Sequence, residues 1–388
     1  MMAAALLSHG VTKLENCPKI ADVTVMIQIM NRIGAVTQWQ DDTLIIDSRQ
    51  LADAKVTKAY AGQMRSSIIL LGSFLGRSRS VNIAYPGGCV IGKRPIDMHI
   101  KVLRKMGARI EEDGEMLRAS SQGLHGTEHS FEKPSVGALE NAVLAAVLAK
   151  GDTMLYNCAM EPEIVHLCNM LRQMGACIYG AGTPRIYIRG VKELSPVSVR
   201  VPPDRIAAGT YLLAAAAAGG EIILLDAPTE EMEALLQVYQ KMGGQYEVNG
   251  GKLIVKACRR LSPVPYLETA EYPGFPTDLQ SMLLAVSAGL EGECRIREKI
   301  FEDRFKAAEQ LRRMGADIRI EDNCAEIHGR KLYGAKVFAQ ELRGGAALVI
   351  AGLAAEGHTQ VFNPQFIERG YENFCGNLSA LGGEIRKE

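Results

Sequence analysis

The sequence predicts an α/β chain made of six repeated α/β units, three in each of two domains, with the first unit incomplete. Three observations carry that prediction. A helix-like stretch, then Met/Ile/Leu-Gly-Ala/Gly, then an alternating run recurs around Gly34, Gly107, Gly175, Gly243, Gly315 and Gly382. A second phrase interleaves with it six times, from Ala5-Leu6-Leu7 to Gly352-Leu353-Ala354: an apolar helix end, a Gly-bearing turn and a β-rich run. Both phrases return roughly every 70 residues, the period of a two-helix α/β module rather than of a single motif.

Each element of the module has a local cause. Glycine directly after the last helical residue supplies the left-handed stop that turns the chain back as a strand. The alternation that follows, as in Arg109-Ile110-Glu111 and Asp317-Ile318-Arg319-Ile320, marks half-buried strands. In copies two to six the apolar helix opens on polar or charged residues: Arg65, Ser135, Asp204, Thr277-Asp278 and Arg343. Copy one begins in mid-turn as Met1-Met2-Ala3-Ala4-Ala5, with no cap and no preceding strand. The reading taken is a chain that lacks its true N-terminus; the other is a naturally shortened first unit.

At 388 residues the chain exceeds one core, so two domains are expected, residues 1–200 and 201–388, with the seam near Leu194–Pro203. Lysine plus arginine and aspartate plus glutamate balance at 44 each, so no field for nucleic acid is advertised. Nine cysteines show no CxxC pair and no metal-ligand spacing, which fits a reducing cytoplasm. Cys158, Cys168, Cys177, Cys258, Cys294 and Cys375 read as buried, inert thiols beside apolar segments. No apolar run is long enough to span a membrane, so no membrane span is expected; no metal or dissociable cofactor is called for.

Residues 84–99 break the repeat with three glycines and two prolines, the composition of a functional loop. Gly87, Gly92 and Lys93 nearly fit a phosphate loop, but Arg94 stands where a magnesium-binding hydroxyl is needed and Pro95 disfavours a helix start there. Cys89, between glycines and near Lys93 and Arg94, has the surroundings of a reactive thiol. Arginines at repeated helix starts oppose the helix dipole and suit an anionic ligand with phosphate and carboxylate groups. Asp278 reads either as a helix cap or as a general base facing those cations.

Pro86-Gly87-Gly88-Cys89, Gly92, Arg94-Pro95-Ile96-Asp97 and His99 resemble the cysteine loop of UDP-N-acetylglucosamine enolpyruvyl transferases. Met64-Arg65-Ser66-Ser67, Lys133–Ala138, Glu161–Ile164, Pro203–Ile206, Phe275–Asp278, Ile300–Phe305, Leu342-Arg343 and Glu368–Glu372 follow in the order that family shows. The resemblance spans essentially the whole chain, and the shikimate-pathway relative is not expected to carry that loop. It implies an inverse α/β barrel fold, two domains closing on a substrate. The implied reaction moves the enolpyruvyl group of phosphoenolpyruvate to the 3′-hydroxyl of UDP-N-acetylglucosamine and releases phosphate, the first committed step of peptidoglycan synthesis. Implied catalytic residues are Cys89 as general acid or covalent partner, Asp278 as base, and Arg369. Implied substrate contacts are Arg65, Arg94, Pro95, Ile96, Asp97, Met98, Lys133, Pro134, Ser135, Val136, Gly137, Asp278, Ile300 and Arg343.

Three departures from the family pattern are visible. Its Ser-Gly-Ala-Lys-Asn segment, with a lysine and an asparagine that contact substrate, is absent from this sequence. Ala207 stands where Glu is usual, and Glu341 where Asp is usual. The alternative reading is therefore a catalytically impaired paralogue that still binds UDP-sugar.

Overall fold

The computed structural model describes every residue except Asp53, Cys89, Val90, Ala257, Cys258 and Arg259. The first repeat runs α1 (Met2–Ala5), β1 (Val11–Glu15), α2 (Ala21–Arg32), β2 (Val36–Gln40) and β3 (Thr43–Asp47). The second has β4 (Lys55–Val56), α3 (Lys58–Ala61), a 3-10 turn (Arg65–Ile69), α4 (Leu70–Arg77), β5 (Ser80–Ala84), α5 (Asp97–Lys105), β6 (Arg109–Asp113) and β7 (Met116–Ser120). The third has β8 (Glu128–Ser130), α6 (Val136–Ala146), β9 (Asp152–Tyr156), α7 (Pro162–Gln173), β10 (Cys177–Tyr179) and β11 (Arg185–Arg189). In the fourth come β12 (Ser198–Arg200), α8 (Arg205–Ala218), β13 (Ile222–Leu225), α9 (Glu233–Lys241), β14 (Gln245–Asn249) and β15 (Lys252–Lys256). The fifth adds β16 (Tyr266–Glu268), α10 (Thr277–Gly289), β17 (Gly292–Arg297), α11 (Lys306–Arg313), β18 (Asp317–Glu321) and β19 (Cys324–Gly329). The sixth ends the chain with β20 (Lys336–Phe338), α12 (Leu342–Ala354), β21 (Gln360–Phe362), a 3-10 turn (Pro364–Arg369) and α13 (Phe374–Ala380).

Among the described residues there is one sheet per repeat, except that β12 of the fourth joins the sheet of the first, and none closes into a barrel. The orders are β12-β1-β3-β2, β4-β5-β7-β6, β8-β9-β11-β10, β13-β15-β14, β16-β17-β19-β18 and β20-β21. The opening strand pairs parallel to the strand after the apolar helix, and the rest of the sheet is antiparallel. The apolar helices α4, α6, α8, α10 and α12 are buried over most of their length, while the strands alternate buried and exposed side chains. Helices inside and sheets outside is the inverse arrangement the resemblance implies.

The six repeat glycines all have positive φ, from +91° at Gly315 to +105° at Gly175. Each is a helix stop that only glycine adopts without strain. A strand follows five of them. None follows Gly382, contrary to the sequence pattern, because no strand lies beside Glu384–Lys387 among the described residues and a strand needs a partner. A second recurrence sits after the strands. Asn16, Asn157 and Asn363 are left-handed, and their side-chain amides donate to the carbonyls of Val201, Phe131 and Ala339, each just past an opening strand.

The chain divides at Pro202–Pro203 into two compact units, with Ile91–Lys93 grouped with the second. Each has its own hydrophobic core. Cys158, Cys168 and Cys294 are buried, and burial pushes their thiols up to about 12, 11 and 11. Cys177 and Cys375, expected to be buried, are only partly covered, and Cys258 lies outside the described residues.

Candidate active site

In the second unit, α8, α10 and α12 pack on one another and bring their N-termini together. Asp278 stands in the first turn of α10, but it is not the cap; the capping position is Pro276. Its carboxylate is gripped instead by two guanidiniums. Nη2 of Arg304 donates to Oδ1 at 2.5 Å, and Nη2 of Arg343 donates to Oδ2 at 3.3 Å. Burial alone would raise the pKa of this carboxyl, yet the cations Arg343, Arg304 and Arg205 outweigh it and hold the pKa at about 2. Arg205 opens α8 and lies over the ring of Tyr272, 5.6 Å from its centre.

Arg343 is clamped on its other side. Its Nη1 donates to the hydroxyl of buried Tyr371 at 3.0 Å, and that hydroxyl also meets Thr210 Oγ1 of α8 at 2.8 Å. Burial lowers the pKa of Arg343, but the hydrogen bond to the Tyr371 hydroxyl and the charges of Asp278 and Asp204 outweigh it and raise it. Glu341, the residue that departs from the family pattern, is the N-cap of α12: its carboxylate accepts from the backbone N–H groups of Arg343 and Gly344. Arg369 ends the 3-10 turn Pro364–Arg369, two residues before Tyr371, and is partly buried.

Ile300 belongs to a loop fixed by Glu298. One oxygen of that buried carboxylate accepts from the N–H groups of Ile300 and Phe301, at 2.8 and 3.1 Å. Its other oxygen accepts from the hydroxyl of Thr277 at 3.0 Å, so the loop is tied to the start of α10.

In the first unit Arg65 opens the 3-10 turn Arg65–Ile69, not an α-helix, and its Nη2 donates to the carbonyl of Pro95 at 3.1 Å. Burial, and then the neighbouring charge of Arg94, lower Arg65 to about 10. The same two arginines act on His99, which burial first and then their charges hold near 4. Ser135 caps α6 by accepting from the N–H of Ala138, and His99 lies against Gly137 in the first turn of that helix. Lys133 is exposed, and Pro134, Val136 and Gly137 are half-buried. Ile96 and Met98 turn into the core, so they offer a ligand only their backbone; Asp97 pairs with Lys101 at 3.5 Å along α5. Cys89 lies outside the described residues.

Sequence reasoning passed over Glu298, Arg304 and Tyr371 as site residues. Arg304 sits inside the quoted stretch Ile300–Phe305, yet only its depth identifies it. No group of His, Cys, Asp and Glu suited to a metal ion occurs among the described residues, and no helix there is long and apolar enough to cross a membrane.

The sequence matches the EPSP synthase (3-phosphoshikimate 1-carboxyvinyltransferase) family over residues 1–378. It is 43% identical over 386 residues to UDP-N-acetylglucosamine 1-carboxyvinyltransferase 2 of Caldanaerobacter subterraneus subsp. tengcongensis, covering 99% of this chain and 93% of the relative. It is also 43% identical over 397 residues to the enzyme of that name from Novosphingobium aromaticivorans, covering 100% and 93%. Among solved structures, the enolpyruvyl transferase NikO from Streptomyces tendae superposes with a TM-score of 0.88 at 24% identity, over 99% of this chain and 92% of that one. EPSP synthase from Acinetobacter baumannii gives 0.75 at 19% identity, over 99% and 94%. These two likenesses speak for the fold; the identity to the first pair speaks for the group. The chain is an enolpyruvyl transferase of the EPSP synthase family and belongs, within it, to the UDP-N-acetylglucosamine 1-carboxyvinyltransferases.

Proposed function

We propose that the chain transfers the enolpyruvyl group of phosphoenolpyruvate to the 3′-hydroxyl of UDP-N-acetylglucosamine, supplying peptidoglycan synthesis. The observation that carries this reading is Asp278, a partly exposed carboxylate set between Arg304 and Arg343 where three helix starts meet. The names of the relatives supply the substrates.

Asp278 takes the proton of the 3′-hydroxyl as its oxygen bonds to C2 of phosphoenolpyruvate. A proton is added at C3, the role assigned to Cys89. Loss of that C3 proton and departure of phosphate from C2 then leave the enol ether. Arg343, with Arg94 and Arg369, balances the carboxylate and phosphate charge through the tetrahedral intermediate. The nucleotide sugar is assigned to Arg65, to the backbone of residues 94–98, to Lys133–Gly137 with the free N–H groups of the α6 start, and to Ile300.

The test is phosphate release from the two substrates together. Release that requires both, and that Asp278→Asn abolishes while calorimetry still shows UDP-N-acetylglucosamine binding, supports the reading. No release with both substrates present overturns it.

A further inference from the structure

Glu298 is a buried carboxylate without a countercharge. It is 2% exposed, and no ion pair to it occurs among the described residues; its neighbour Lys299 pairs with Glu268 at 3.4 Å. A charge in that position is tolerated only where donors fill its lone pairs. Three donors do so: the N–H groups of Ile300 and Phe301 and the hydroxyl of Thr277. The two N–H bonds reach two and three residues ahead, the pattern of a helix N-cap, yet α11 begins only at Lys306. The carboxylate therefore serves the loop and not a helix. The other ties of residues 298–301 do the same. The N–H of Glu298 donates to the carbonyl of Asn323 at 2.9 Å, and that of Lys299 to Oγ1 of Thr269 at 2.9 Å. Nδ2 of Asn323 donates to the carbonyls of Glu298 and Phe301 at 2.8 and 2.9 Å. All four N–H groups are engaged, so among the described residues only the carbonyls of Lys299 and Ile300 stay open.

We propose that Glu298 is a positioning residue for the nucleotide sugar: it holds the Ile300 backbone in register with the start of α10, so that the open Ile300 carbonyl accepts from a hydroxyl or amide N–H of the sugar. This rests on the function proposed above, which assigns Ile300 to that ligand, and says which group of Ile300 serves and what keeps it there. The N–H of Ile300 is excluded, because Glu298 already holds it. The register matters because Thr277, tied to the other oxygen of Glu298, directly precedes Asp278. One carboxylate thus sets the spacing between the group that receives the sugar and the residue assigned its proton. A loop tied in this way is ordered before the ligand arrives, so binding does not have to order it.

The experiment compares Glu298→Asp and Glu298→Gln with the wild-type full chain, by steady-state kinetics with UDP-N-acetylglucosamine and phosphoenolpyruvate and by thermal melts. Glu298→Asp keeps the charge but is one methylene too short to hold the loop N–H groups and the Thr277 hydroxyl together. Its KM for UDP-N-acetylglucosamine should rise about tenfold, the effect of one misaligned hydrogen bond to a ligand. Its KM for phosphoenolpyruvate should stay within about threefold of wild type, because that substrate is not assigned to the loop. Glu298→Gln keeps the length: Oε1 can accept from both N–H groups while Nε2 donates to a Thr277 hydroxyl turned to receive it. It should therefore restore the KM for UDP-N-acetylglucosamine to within about threefold of wild type. If Glu298→Asp does not fold, Thr277→Val cuts the tie to α10 alone and should raise the same KM by itself. A folded Glu298→Asp or Thr277→Val chain with wild-type KM for UDP-N-acetylglucosamine overturns the inference alone. So does a rise of both KM values together, or a Glu298→Gln chain as impaired as Glu298→Asp. Wild-type chain that neither binds UDP-N-acetylglucosamine nor releases phosphate overturns the proposed function, and this inference with it.

Discussion

Asn141 on α6 and His99 on α5 are joined by a side-chain hydrogen bond of 2.7 Å in the first core. The Oδ1 of Asn141 accepts from the N–H of Gly72 at 2.7 Å, which fixes the orientation of its amide. Its Nδ2 therefore donates, to the carbonyl of Ile68 at 3.0 Å and to Nδ1 of His99. The imidazole is left neutral, with its proton on Nε2.

Asn141→Ala should destabilise the protein by about 3 kcal/mol, because buried groups of Gly72, Ile68 and His99 lose their partner at once. Urea denaturation at pH 7.5 (roughly a pH unit above the ordinary histidine range) checks the value. A loss below about 1 kcal/mol, the worth of one ordinary hydrogen bond, would show that the three bonds are not held together.

His99 sets a pH dependence with a definite sign. Its pKa falls from 6.5 to about 4 on folding, so the native state resists protonation that the unfolded chain accepts. The stability it contributes is complete above about pH 6.5 and is lost as the pH falls towards 4. The whole effect is on the order of 3 kcal/mol, at 1.36 kcal/mol per pH unit. Melting temperatures of wild type and His99→Gln should converge as the pH is lowered through that window; parallel curves would remove histidine as the cause.

Gly72→Ala attacks the same region by volume. A Cβ there would lie 2.4 Å from the backbone oxygen of Asn141, so α4 and α6 must move apart. Overpacking of this kind costs about 1–3 kcal/mol. Chemical denaturation is the measurement, and a neutral result would mean the helices separate freely.

Gly92→Ala should leave stability almost untouched and slow the reaction. Gly92 has φ +137°, which disfavours any side chain, and a Cβ would meet the Glu302 carboxylate. The loop is seated beside it, where the N–H of Asp303 donates to the carbonyl of Ile91 at 3.1 Å. Backbone strain of about 1–2 kcal/mol opposes that seat and should lower kcat/KM about tenfold. An unchanged kcat/KM would show that the seated loop plays no part in turnover.

The repeat was legible in the sequence because its signals are local. A glycine that stops a helix and a run that alternates are read within ten residues, and all six glycines are left-handed as expected, five of them leading into a strand. Ser135 and Asp204 cap their helices for the same reason. Asp278 shows where local reading ends: by sequence either a cap or a base, it bonds to residues 26 and 65 positions away. Asn141 is equally opaque, because its partners lie 42 to 73 positions away on other elements. Ile96 and Met98 look like members of the binding segment, yet the helix turn that begins there sends their side chains inward. The seat of Ile91 on Asp303 joins positions 212 apart, and no periodicity records it.

Strand β12 belongs to the fourth repeat by sequence but completes the sheet of the first, where Lys13, Leu14 and Glu15 pair with Ser198, Val199 and Arg200. Genetic period and cooperative body are thus out of step by one strand. A chimaera of two relatives spliced near Leu194 would set β1 of one parent against β12 of the other. A splice after Pro202 keeps both from the same parent, so the productive crossover point is where the sheet ends rather than where the repeat begins.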